Sequence, residues 1–275
     1  MIIMAGEYKA MSYRIGMTML TYNRLEDTKI TLPNVIKTAS NKVAWALTVI
    51  DNGSSDGTQE YLKEQFELKM IDTLVLLKEN IGVAKGQNVG WCLHDKNGAE
   101  IVGKIDNDVF FHKNNWLDAI LNVLDNSPEI GALGYNCEHK NTYHIVNNGK
   151  VLYRFKGGNI GGACFFVPKH VHETLGYWTE DFDKYGEEDA DYGVRIILAG
   201  FKNAYMDDET VMEHFGHDSK EYREFKDIQR QDNLKGSFQQ VYNSYHNKSR
   251  SLKFETNILN EITEKDLILF EGSHI

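Results

Sequence analysis

Cysteine, proline and long apolar runs are all scarce in this chain. Its 275 residues include 3 cysteines (Cys92, Cys137 and Cys164). These are too few and too scattered for a disulfide framework or a paired-cysteine zinc site, and they point to a reducing compartment. The 3 prolines provide no proline-rich linker between two halves. No apolar run reaches the roughly 18 residues of a membrane-crossing helix. Glu7 and Lys9 interrupt the first dozen residues, so no signal peptide is expected. Positive charge is also short: 30 Lys+Arg against 40 Asp+Glu leave a formal net charge of −10, the wrong sign for tracking nucleic-acid phosphates. The expectation is a cytoplasmic chain without a transmembrane segment, peripheral at a membrane at most.

Apolar material is plentiful. Hydrophobic residues make up 41% and aromatics 11%, enough for a sizeable core, and the length fits one large domain with or without a small appendage. The first half alternates apolar runs with helical periodicity. Strands are expected at Ile15–Leu20, Trp45–Ile50, Thr73–Leu77 and Glu100–Ile105. Helices are expected at Asp27–Ala39, with Pro33 a blemish at its centre, and at Thr58–Phe66 and Ala84–His94. Strand–loop–helix units in series imply an α/β fold, with right-handed crossovers and a mostly parallel central sheet flanked by helices. The second half is less regular. A helix at Trp116–Leu124, a strand at Ile130–Gly134, a glycine-rich stretch from Gly157 running into the strand Ala163–Val167, and a helix at Ala190–Ala199 ended by Gly200 are expected. Residues 1–218 form the expected main domain. Residues 219–275, polar and helical apart from apolar patches at Ile258–Ile262 and Leu267–Phe270, form a C-terminal appendage.

In sheets of this kind ligands sit beyond the carboxyl ends of the strands, and polar residues gather at those ends here. Asp106-Asn107-Asp108 follows the fourth strand; two carboxylates at that spacing make either an ordinary acidic turn or hard-oxygen ligands for Mg²⁺ or Mn²⁺. Asp51 follows the second strand in a loop of glycines and serines. It is suited to hold a nucleoside or to form a local turn, and Asp56 looks like the residue that caps the next helix. Gly186-Glu187-Glu188-Asp189-Ala190-Asp191 opens a helix, where negative charge is favoured. The mutual repulsion of its acids suggests that at least one is held for chemistry, for example as a general base. Glu213-His214-Phe215-Gly216-His217 offers imidazole to a metal or is a surface pair. Lys85, Lys104 and Arg24 are cations near strand ends, where phosphates would lie.

In this order the pieces resemble the family-2 inverting glycosyltransferases of GT-A (Rossmann-like) fold. The resemblance runs through Thr21-Tyr22-Asn23-Arg24, Val49 to Thr58, Glu79-Asn80-Ile81-Gly82 with Gly86 to Gly90, Ile105 to Asp108, Gly161-Gly162-Ala163, Leu175 to Trp178 and Glu188 to Asp191. It spans about residues 15 to 217 and leaves the tail beyond Ser219 unmatched. The resemblance implies a nucleotide-sugar donor, most commonly a uridine one, and a divalent cation. Thr21, Asn23 and Arg24 would line the nucleotide pocket and Asp51 would hold base or ribose. Asn80, Gly82, Lys85 and Asn88 would lie near nucleoside and sugar. Asp106 and Asn107 would lie at the donor, and Asp106 and Asp108, the aspartate pair, would hold the metal with His214 rather than His217 as the further ligand. Asp189 would be the catalytic base, with Glu188 beside it touching donor or acceptor. Gly161 and Gly162 would let the acceptor approach, and Trp178 would stack on a sugar face. The acceptor would be a hydroxyl on a glycan, a lipid-linked saccharide or a protein. The appendage is left to dimerise, to cover the acceptor or to touch a membrane. Two alternatives stand beside this reading: a sugar-phosphate nucleotidyltransferase, disfavoured because Thr21 to Asp27 lacks the glycine-rich loop, and a binding protein of the same fold without catalysis.

Overall fold

The computed structural model describes residues 13–135, 142–148, 151–156, 160–182, 184–216, 223–224, 227–228, 237–263 and 265–272. The first half consists of β1 (Ile15–Thr21), α1 (Leu25–Thr38), β2 (Trp45–Asp51), α2 (Thr58–Glu67), β3 (Thr73–Leu77), α3 (Val83–Lys96) and β4 (Ile101–Asp106). Then follow β5 (Val109–Phe111), α4 (Trp116–Asn126), β6 (Ile130–Tyr135), β7 (Thr142–Asn148), β8 (Val151–Lys156), β9 (Cys164–Pro168), α5 (Lys169–Leu175), α6 (Glu188–Leu198), β10 (Lys202–Met206) and β11 (Met212–His214). The C-terminal stretch contributes α7 (Ser237–His246), α8 (Ile258–Glu261) and β12 (Leu267–Glu271).

Ten strands form one sheet in the order β12-β3-β2-β1-β4-β9-β6-β10-β8-β7, and β11 pairs with β5 apart from it. β1 to β4 are mutually parallel, β6 and β10 join them in direction, and β9, β8 and β12 run against them. The mostly parallel α/β sheet expected from the alternation is therefore present. Its central strands are buried almost end to end because both faces are covered. On one face Leu32 and Val35 of α1, Leu62 of α2 and Leu117 and Ile120 of α4 pack on Met17, Met19, Leu47 and Val49. On the other, Trp91 of α3, Val171 of α5 and Tyr192 and Ile196 of α6 pack on Val102 and Phe165. Helix α3 lies so close to β1 that a Cβ on Gly90 would fall 2.3 Å from the Thr18 side chain, which only glycine avoids.

Pro33 sits inside α1 without ending it. It lies on the exposed face, as does Lys29, whose carbonyl loses its partner and can bond water instead. Trp178 departs from expectation. It is fully buried, stacked on Phe165 and Tyr192 at centroid separations of 5.5 and 5.6 Å and edge-on to Trp91. Its large apolar surface is part of the core, so it has no sugar-facing side.

Among the described residues, the C-terminal stretch carries the helices α7 and α8 and one strand that a purely helical appendage does not include. β12 adds antiparallel to β3 from Leu267 opposite Leu77 to Glu271 opposite Thr73. Ile258 of α8 is buried with Val75, Leu77 and Val89. Helix α7 is tied to α6: Tyr245 donates to Asp191 Oδ1 at 2.8 Å, while Asp191 Oδ2 accepts from Arg195 Nε at 2.7 Å. Arg195, fully buried, also donates to the carbonyls of Leu175, Tyr177 and Leu252. Among the described residues, no helix is long and apolar enough to cross a membrane.

A buried guanidinium deprived of its carboxylate cannot be rehydrated without opening the core. Asp191→Ala is expected to cost about 3–5 kcal/mol in urea unfolding. A loss under about 1 kcal/mol would show that this ion pair does not hold α6 and α7 together.

Candidate active site

The parallel strands deliver their polar ends to one level of the sheet edge. Thr21 stands opposite Asp51, and Leu20 opposite both Ile50 and Asp106. The first cluster is a brace between the β1 and β2 loops. Asp51 is fully buried, and its carboxylate accepts from Thr21 Oγ1 (2.9 Å), Ser54 N (2.9 Å), Ser54 Oγ (2.5 Å) and Gln59 Nε2 (2.7 Å). Asn23, with φ of 49°, donates from its backbone to Ser54 Oγ and accepts at its side chain from Ser55 N. Asp56 does cap, but for two helices: it accepts from Leu25 N of α1 and from both N and Oγ1 of Thr58 in α2.

The β3–α3 loop is tied in by Asn52. Its Nδ2 donates to Asn80 Oδ1 and the Gly82 carbonyl at 3.1 Å each, and its Oδ1 accepts from Ile81 N. Lys85 is half-buried on the first turn of α3. Asn88 departs from the donor-side placement. It is fully buried, and its amide is engaged by the Trp178 backbone and the Glu180 carboxylate. Asn107 is likewise buried and donates to Thr28 Oγ1 at 2.9 Å.

A second cluster gathers Asp106, Asp108 and His214, each with a ligand atom within 4.8 Å of the others. The β5–β11 pair accounts for the reach across the sequence: His214 lies opposite Val109, and Phe215 N donates to the Asp108 carbonyl at 3.0 Å. Arg24 Nη1 donates to Asp108 Oδ2, and His214 Nε2 stands 3.1 Å from Asp108 Oδ1. That distance is an ion-pair contact without hydrogen-bond alignment, so Oδ1 is a buried oxygen with no hydrogen-bond partner. Burial pushes the Asp108 carboxyl up, but His214 and Arg24 outweigh it and hold it at about 2. The His214 imidazole is raised by the Asp108 carboxylate against its own burial. Two hard carboxylates, one imidazole and an orphaned buried oxygen fit a small divalent cation. His217 lies outside the described residues, as do Gly157 to Asn159.

The third cluster adjoins the second through Lys104. Its buried ammonium bonds both the Asp106 carboxylate and the Gly162 carbonyl. Burial lowers its pKa, yet Asp106, then Asp189 and Glu188, raise it overall. Asp189 and Glu188 open α6. A Cβ on Gly162 would lie 3.0 Å from Asp189 Oδ2 and 3.4 Å from Lys104 Nζ, so these groups converge on one spot. Burial raises Asp189 against the pull of Lys104, and burial plus the Asp189 charge push Glu188 up to about 8. Two features carried no role in the sequence reading. One is the bridge made by Lys104, noted there only as a cation near a strand end. The other is Gly216, on which a Cβ would fall 2.1 Å from Asp108 Oδ2. A glycine two residues after His214 was its one sequence signal.

The family model described as "Glycosyl transferase family 2" matches residues 18–185, more than half of the chain. The chain belongs to glycosyl transferase family 2. The matched span includes Asp51, Asp106 and Asp108 but ends before Glu188, Asp189 and His214. Solved structures share the fold of GT-A glycosyltransferases. The mannosyltransferase PcManGT from Pyrobaculum calidifontis, in complex with GDP-Man and Mn2+, is 18% identical with a TM-score of 0.57, covering 78% of this chain and 59% of its own. S. aureus TarS 1-349 in complex with UDP-GlcNAc is 14% identical with a TM-score of 0.57, covering 76% and 60%. GalNAc-T7 with UDP, GalNAc and Mn2+ is 13% identical with a TM-score of 0.59, covering 74% and 43%. This chain thus spans 43–60% of the length of these three. No curated protein matches it.

Gly216→Ala pushes a methyl group into the Asp108 carboxylate. Mn²⁺ affinity, measured calorimetrically, is expected to fall about 10–100-fold. Stability should fall as well, by about 1–3 kcal/mol, the usual cost of overpacking a buried contact. Unaltered Mn²⁺ affinity would remove Gly216 from the site.

Proposed function

We propose that this protein is a metal-dependent inverting glycosyltransferase. It moves a sugar from a nucleotide-diphosphate donor, preferably a UDP-sugar, to a hydroxyl on a glycan, a lipid-linked saccharide or a protein. The observation that carries the proposal is the convergence of Asp106, Asp108 and His214 within 4.8 Å, bridged by Lys104 toward Asp189. Family membership and the Mn2+ and nucleotide-sugars named for similar folds support it.

Asp106, Asp108 and His214 would hold a Mn²⁺ or Mg²⁺ ion. Bound there, the cation would supply electrostatic stabilisation of the charge that grows on the departing diphosphate. Arg24 and Lys104 add positive charge to the same side. Asp189 takes the proton from the acceptor hydroxyl, whose oxygen then attacks the anomeric carbon opposite the leaving group. A single displacement of this kind needs one base and no enzyme nucleophile, which suits one available carboxylate at the head of α6. Glu188, with a pKa of about 8, carries a proton at neutral pH. It thereby spares Asp189 a neighbouring negative charge and offers a hydrogen bond to donor or acceptor. Holding both sugars in line provides a large share of the remaining acceleration. A second chain, paired through the C-terminal segment, belongs to this proposal as an assembly state to be measured.

Asp189→Asn is expected to lower kcat by about 10²–10⁴-fold, the usual worth of a general base, while Mn²⁺-dependent nucleotide binding stays near wild type. Transfer at the wild-type rate would refute the base assignment. Glu188 also sets a pH dependence of stability. Its folded pKa, about 8, lies above the ordinary 4.5, so the folded state holds the extra proton between those values. The carboxyl therefore makes folding progressively less favourable as pH rises through that window. Melts of wild type and Glu188→Gln should coincide below about pH 4.5 and diverge progressively up to about pH 8, with the variant more stable. Parallel curves would mean that Glu188 titrates as an ordinary carboxyl.

A further inference from the structure

The carboxylates that would receive a divalent cation already face positive charge from the chain itself. Arg24 donates through Nη1 to Asp108 Oδ2, and its Nε lies 3.2 Å from Asp27. Lys104 holds Asp106 in the same way. The Arg24 and Asp108 side chains are 10% and 5% exposed, so their pairing is largely desolvated and far stronger than a surface ion pair. Asp108 Oδ2 has little freedom to turn away. His214 closes in on the other oxygen, and the backbone of Gly216 is packed so tightly against Oδ2 that no Cβ fits. An incoming cation must therefore contend with Arg24 for a carboxylate that cannot move to serve both.

Resting on the metal reading given above, we propose that Arg24 is a built-in competitor for the divalent cation at Asp108, displaced when metal binds and then left to neutralise the donor diphosphate. Each of the two metal-side carboxylates is already matched by one basic side chain. A divalent cation alone adds two positive charges to a partly buried site, which disfavours it. A diphosphate arriving with it cancels them and finds Arg24 released at the loop between β1 and α1. Metal and diphosphate therefore bind cooperatively, each raising the affinity of the other by one factor, as linkage requires. Lys104 is less suited to this exchange because a second bond, to the Gly162 carbonyl, anchors its ammonium.

The test is equilibrium binding of Mn²⁺ alone, followed by its paramagnetic resonance signal, to full-length chains stripped of divalent ions with chelator. Arg24→Gln should bind Mn²⁺ about tenfold more tightly than wild type, the ratio set by one charge-assisted hydrogen bond. Arg24→Lys, which retains the charge, should stay near wild type. Binding of inorganic pyrophosphate in the presence of saturating Mg²⁺ should move the other way, weakening in Arg24→Gln. Equal or weaker Mn²⁺ binding by Arg24→Gln overturns the exchange and leaves the metal reading intact; binding by neither chain overturns both. Should Arg24→Gln fail to fold, the wild-type chain decides the matter. The side-chain N–H resonance of Arg24 should shift as Mg²⁺ is added, and a resonance that stays fixed through saturation overturns the proposal.

Discussion

A buried ammonium joins the two halves of this site. Lys104 rises from the middle of the sheet and bonds a carboxylate of its own strand and a carbonyl of the β8–β9 connection, with Asp189 and Glu188 within its field. Without that charge, Asp106, Glu188 and Asp189 would be three carboxylates converging in a partly desolvated corner, each raising the others' proton affinity. With it, the metal-side aspartates and the α6 carboxylates can sit side by side. The rest of the active corner follows from where β4 places this one side chain.

Helix α6 shows how adjacent acids acquire different duties. Asp191 is committed to Arg195 and Tyr245, and through them the C-terminal helix is fastened to the core. Two residues earlier, Asp189 faces Gly162 and Lys104. Half a helical turn separates a structural carboxylate from the proposed base. The same fastening that stabilises the tail also fixes the orientation of the helix that carries the proposed base.

The sequence reading succeeded wherever local chemistry decides. Continuous apolar runs, helical spacing and polar strand ends placed β1 to β4 and α1 to α3 within a residue or two, and the acidic turn after β4 with His214 does converge on a metal-sized corner. It fell short where long-range contact decides. Asn88 and Trp178 meet across 90 positions, and nothing in either neighbourhood shows that the amide faces a backbone and the indole faces the core. Asp51 stands where a nucleoside-binding residue was expected, yet its partners Ser54 and Gln59 are local and could be weighed only once the turn was seen. Leu267 to Phe270 read as an apolar patch because a lone strand is recognisable only by its neighbour.

That last pairing bears on how the chain is made. β3 (Thr73–Leu77) and the strand that covers its outer edge, β12 (Leu267–Glu271), are far apart in the sequence. During synthesis the parallel nucleus can assemble early, but the row of unpaired amides and carbonyls along β3 stays open until Leu267–Glu271 leave the ribosome. For that interval the nascent protein presents a template for another molecule's strand, and the tail functions as the piece that retires it.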